Sequence, residues 1–142
     1  MNTKATAAAL AAKFVGVTAN GEAIAIGPTA SLPNAITKGP ALLIFHPTGV
    51  LDVVMSRIRR DELDFPVRLL RDPLDTPGRS DALYDWYDAM RDVVRDGDTL
   101  VLPTTSCRVV AMRAELDGAT YAGASFDLVE LMVRVHFGDL QP

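Results

Sequence analysis

The sequence predicts an α+β fold, a mostly antiparallel sheet with two helices packed on one face, formed as a single domain over residues 1–142. Three observations predict it. Two segments repeat apolar residues at helical spacing, several others alternate apolar and polar residues at strand spacing, and the turns between strands are short enough to imply antiparallel neighbours. With 49% hydrophobic and 23% charged residues, the 142-residue chain has enough apolar matter for one core, which excludes disorder over most of its length.

The first element is an alanine-rich helix. Leu10, Phe14 and Val17 recur at i, i+4 and i+7 with Ala7 on the same stripe, while Lys4 and Lys13 lie off it. Lys13 interrupts the apolar run before any cleavage site a secretory leader would need, and no run reaches the roughly 18 apolar residues that span a bilayer. A soluble, cytosolically made chain is expected. Asn20-Gly21, Gly27-Pro28 and Leu32-Pro33-Asn34 then punctuate a long ordered connection holding a short alternating piece, Ala23 to Ile26. Pro40 opens the apolar run from Ala41 to His46, which suits a strand covered on both faces.

Between Val50 and Asp72 the alternation fits either two strands or one long bent strand, with a turn expected at Arg60-Asp61-Glu62. Leu63, Phe65, Val67 and Leu69 share one face opposite Asp64, Arg68 and Leu70, and Pro66, lacking a backbone donor, points to an edge or a bulge. Thr76-Pro77 is a helix-start signature. Leu83, Trp86, Tyr87, Met90, Val93 and Val94 follow on one stripe, aspartates mark the other side, and Gly97 is the expected stop. Val110, Met112, Ala114 and Leu116 alternate as a strand, Asp117-Gly118 is the expected hairpin turn, and Phe126 to Phe137 alternates almost without a break. The last segment describes a sheet buried on one side and either wet or partner-covered on the other.

The charge excludes some functions. Eighteen acidic and fourteen basic side chains leave a net charge of −4, so diffuse attraction to nucleic acid or anionic lipid has no support. The one cysteine, Cys107, cannot form an internal disulfide, and no Cys/His group has zinc spacing. Thr104-Thr105-Ser106-Cys107 with His46 or His136 supplies the residue types of nucleophilic catalysis, but none sits in a nucleophile elbow, and a polar loop before a buried cysteine is the plainer reading. His46 and His136, even with Asp127 or Glu130, lack a metal-ligand spacing, so no metal or other cofactor is expected. Asp81, Asp85, Asp88 and Asp92 read as a solvated acidic helix face, and Gly118 and Gly123 flank a hairpin rather than a phosphate loop. Arg57, Arg59 and Arg60 form the one dense basic cluster, either a solvated strand edge or a contact with an acidic surface on a neighbouring subunit.

These features together resemble the tail terminator, or tail completion, proteins of long-tailed bacteriophages, particularly of actinobacterial phages. The resemblance runs over most of the chain. It is carried by the N-terminal helix, by Leu32-Pro33-Asn34-Ala35-Ile36 leading into Gly39 to Gly49, by Leu63-Asp64-Phe65-Pro66-Val67-Arg68 before the tryptophan-bearing helix, and by Leu116 to Phe137. It implies a homohexameric ring on the head-proximal end of the tail tube, a structural virion protein that ends tube growth. It implies three further partners: the tail tube protein, the head-tail connector or head-closure protein, and genomic DNA, which passes through the lumen without specific binding. No catalysis is implied. Six copies at −4 each would carry −24, and an acidic ring lets DNA slide where a basic one would hold it. Val50 to Arg60 departs from the family pattern, being aliphatic and arginine-rich where aromatic and glycine-rich sequence is usual. The alternatives are a head-closure or neck protein and, from another class, a small α+β enzyme or ligand-binding protein using Cys107 or His46.

Overall fold

A computed structural model of the chain describes residues 3–54, 57–73, 78–95, 98–100 and 105–139. The elements run α1 (Thr3–Lys13), β1 (Thr18–Ala19), β2 (Glu22–Ala23), β3 (Ile26–Thr29), β4 (Ala41–Ile44), β5 (Thr48–Val54), β6 (Arg57–Arg71), α2 (Arg79–Arg91), β7 (Asp98–Thr99), β8 (Ser106–Tyr121) and β9 (Ala124–Asp139). Strands β1 and β2 form a small separate hairpin, and the other seven make one sheet in the order β3-β4-β6-β9-β8-β7, with β5 pairing β6 alongside β4. Every pairing is antiparallel except β3 with β4. The fold is α+β, as the sequence predicts.

Both helices cover one face. Helix α1 lies over the β3–β4 end and α2 over β8 and β9. Because side chains alternate along a strand, the register puts Ile44, Val67, Leu131 and Met112 in one row, and Leu42, Leu69, Val129 and Ala114 in the next. These rows join Leu10 and Phe14 from the first helical segment and Leu83, Trp86, Met90 and Val94 from the second in one continuous core. Burying such aliphatic and aromatic side chains is the main stabilising term, roughly 1.5–3 kcal/mol each.

The opposite face divides in two. Near the β3–β4 end, Ala41, Leu43, Leu70, Phe126 and Leu128 form a second small core under Leu32 and Ile36 of the connection before β4. This explains why β4 is continuously apolar, since it is buried on both faces. Farther along β6 and β9 the same face is polar.

Four expectations need correction. The ordered connection after α1 holds three short strands rather than one alternating piece: Asn20 and Gly21, both at positive φ, turn the β1–β2 hairpin, and β3 adds a parallel strand. Residues 60–62 do not turn; β5 and β6 are two strands whose last pair is Val54 with Arg57, and the Arg60–Glu62 segment carries a register shift against β9 instead. Pro66 sits inside the sheet, and its position has a simple cause. Its carbonyl accepts from Phe45 N at 2.8 Å, and the missing donor on that side falls where β4 has ended at Ile44 and β5 has yet to begin at Thr48. Finally, Asp117-Gly118 does not reverse the chain. It forms a bulge inside β8, and the turn falls at Ala122-Gly123, with φ of 50° and 83°. The expected signals at Thr76-Pro77 and Gly97 lie outside the described residues.

Candidate assembly surfaces

The polar half of the open face is a ladder of ion pairs that the register builds. Arg68, Glu130 and Arg113 stand opposite one another on β6, β9 and β8, and Asp64 stands opposite Arg134. Glu130 accepts from Arg68 Nε at 2.5 Å and Arg113 Nε at 3.1 Å. Arg134 makes a forked contact to Asp64, with Nε to Oδ1 at 2.8 Å and Nη2 to Oδ2 at 3.0 Å. Burial pushes the Glu130 carboxyl up, but the hydrogen bonds from Arg68 and Arg113 outweigh it and hold the group below its usual range. The Asp64 hydrogen bond raises Arg134 further. At the inner end of the ladder the Arg68 guanidinium lies 4.5 Å from the Phe45 ring centroid, and Phe45 meets Tyr121 edge-on at 6.4 Å. Tyr121 in turn donates its hydroxyl to the Pro33 carbonyl, tying the β8–β9 hairpin to the connection before β4.

The register does bring together one set of catalytic residue types. Ser106 stands opposite His136 and His136 opposite Glu62, with His136 Nδ1 and Glu62 Oε1 3.7 Å apart. Among the described residues no side-chain hydrogen bond joins Ser106 to His136, which face each other across the β8–β9 ladder. Thr105 and Cys107 are buried, each about 2% exposed, while His46 follows β4 on the other side of the sheet. Among the described residues no group of three His, Cys, Asp or Glu side chains has metal-binding geometry. Asp81, Asp85, Asp88 and Asp92 are all exposed along α2. Gly123 lies in the hairpin turn and Gly118 in the bulge.

A buried clamp escapes the sequence entirely. Asp127, fully buried, accepts from Arg79 Nε at 2.7 Å and Nη2 at 2.5 Å, and also from the Asp117 amide at 2.9 Å. Arg79 further pairs with Asp117 Oδ1 at 2.9 Å. Arg79 is the first residue of α2, whose N-cap Gly78 offers no side-chain cap, so the clamp fixes the start of the helix to the β8 bulge. Burial pushes the Asp127 carboxyl up, yet the hydrogen bonds from Arg79 and the Asp117 amide, with the charge of Arg71, bring it below the ordinary range. Opposite Asp127 in the register, Arg71 donates to Glu22 Oε1 at 3.0 Å, the atom that Trp86 Nε1 approaches at 3.5 Å.

The sheet ends in two unlike edges. On one side β5 pairs only with β6 among the described residues, and the β5–β6 hairpin runs past β9, whose last partner on β6 is Arg60. Arg57, Arg59 and Arg60 begin β6 on this arm, and their side chains lie outside the described ones. On the other side β7 covers β8 only at Ser106 and Cys107, so along residues 108–121 no described strand pairs with the outer edge of β8. Val110 and Leu116, 37% and 41% exposed, lie on that stretch.

No family model matches the chain, and no curated protein matches it significantly. No described helix is long and apolar enough to cross a membrane.

Proposed function

We propose that this chain is a tail-terminator subunit: a structural protein that forms a hexameric ring on the head-proximal end of a phage tail tube, stops tube growth, and presents the surface on which the head connector docks. One observation carries the reading. Among the described residues a single sheet ends in two different open edges, a projecting hairpin on one side and the outer edge of β8 on the other. Long uncovered edges pair with other chains unless something blunts them, so a protein that keeps two has a use for both. Because the edges differ, the contact they support is heterologous and head-to-tail, the type that closes into rings.

The rest of the molecule is compatible with that use. The polar ladder keeps its carboxylates paired with arginine, which suits the face to docking rather than to chemistry. A net charge of −4 per subunit keeps a DNA passage from becoming a DNA trap. Native mass spectrometry and negative-stain microscopy of the purified chain, alone and with the tube protein, test the reading. Closed rings of about six copies in either sample support it. A chain that stays monomeric in both, with serine-hydrolase labelling abolished by Ser106→Ala, would replace it with an enzyme.

A further inference from the structure

A groove of about 800 Å³ opens between α1 and the β3–β4 edge. Ala8, Ala12, Val15 and Phe45 line it, together with Lys4 and His46. Val15 is 70% exposed, the most exposed large hydrophobic side chain among the described residues. Helix α1 has lysines and no acidic residue.

The opposite end of the sheet carries the matching shape. On α2, Tyr84 is 63% exposed, and Asp81 and Asp88, at i−3 and i+4, flank it on the helix surface. Tyr84 lies about 200° round the helix from Ala82, whose carbonyl accepts from Asn20 on the β1–β2 side, so the ring projects away from the protein's own α1. An aromatic knob with an acidic border therefore stands at one end of the subunit, and an apolar groove with a basic border at the other.

We infer that Tyr84 of one copy seats in the α1 groove of the next, forming the apolar centre of a head-to-tail joint between copies of this chain. The occupant is a second copy because both halves are present on one chain with complementary charge, each at the end of the sheet that also carries an open strand edge. Tyrosine is suited to the role, since it supplies large contact area at small entropic cost. This deepens the ring reading and rests on it for closure.

The test uses the whole chain and two exposed positions, so folding is spared. Tyr84→Ala removes the knob, and Ala12→Phe fills the groove. Analytical ultracentrifugation is expected to show self-association of the unaltered chain weakened at least about tenfold by either change. The mixture of the two variants is the decisive sample. One retains a groove and the other a knob, so they should pair and stop at a dimer. Lys4→Glu should weaken assembly, and adding Asp81→Lys should restore it. If both variants assemble like the unaltered chain, the joint is overturned while the ring reading stands. If the unaltered chain sediments as a monomer throughout, with and without tube protein, both are overturned.

Discussion

Asp127 has three hydrogen bonds to its carboxylate and no exposure to water, which makes it the most consequential polar side chain of the described core. Replacing it with alanine leaves Arg79 only its contact with Asp117 and loosens the start of α2. The expected loss is about 3–5 kcal/mol, read as a lower midpoint in urea unfolding. The same carboxylate, with Glu130, sets the response to acid. Both titrate below their ordinary range when folded, so the unfolded chain binds protons first and protonation favours unfolding. Stability should therefore be level from pH 7 to about 5 and fall as pH drops below about 4, whereas stability rising on acidification would contradict the assignment. By contrast, Ser106→Ala and His136→Ala are expected to leave ring assembly unchanged, because neither takes part in the joint or the core.

At the scale of elements, α2 is held by its apolar stripe, and Trp86, fully buried against the sheet, is its centre. Trp86→Ala is expected to cost about 3–5 kcal/mol, measured by thermal unfolding. The β5–β6 hairpin is the opposite case. Its outer pairs, such as Val54 with Arg57, touch no third strand among the described residues, so shortening the arm should leave the melting temperature nearly unchanged while abolishing ring formation. Much of this architecture was legible in the chain, because period-two alternation in Leu63 to Leu69 and Phe126 to Phe137 and the 3.6-residue stripe around Trp86 follow from geometry alone. What was not legible depended on partners distant in sequence. Asp117-Gly118 has the conformational freedom of a turn, but Asp117 is drawn into the Arg79–Asp127 clamp, so its positive φ makes a bulge and the reversal moves to Ala122-Gly123. Arg79 and Asp127 are 48 residues apart, and no local pattern pairs them. The ladder of Arg68, Glu130 and Arg113 likewise exists only once the register is set. Pro66 was legible as a defect, though its place opposite the break between β4 and β5 was not.

For the whole molecule, asymmetry is the organising feature. One face is closed by two helices, the other is part apolar and part charge-paired, and the two lateral ends differ in strand edge, helix charge and exposed apolar shape. Under the proposed reading such a subunit would add copies head-to-tail, and a closed ring is the assembly that leaves no end exposed. That central claim is tested most directly by silencing the gene in the phage that the proposed reading implies and examining the particles by electron microscopy. The account predicts tails of irregular and often excessive length lying beside unattached, DNA-filled heads. Tails of normal length with empty or leaking heads would place the protein at the connector, and wholly normal virions would contradict the account outright.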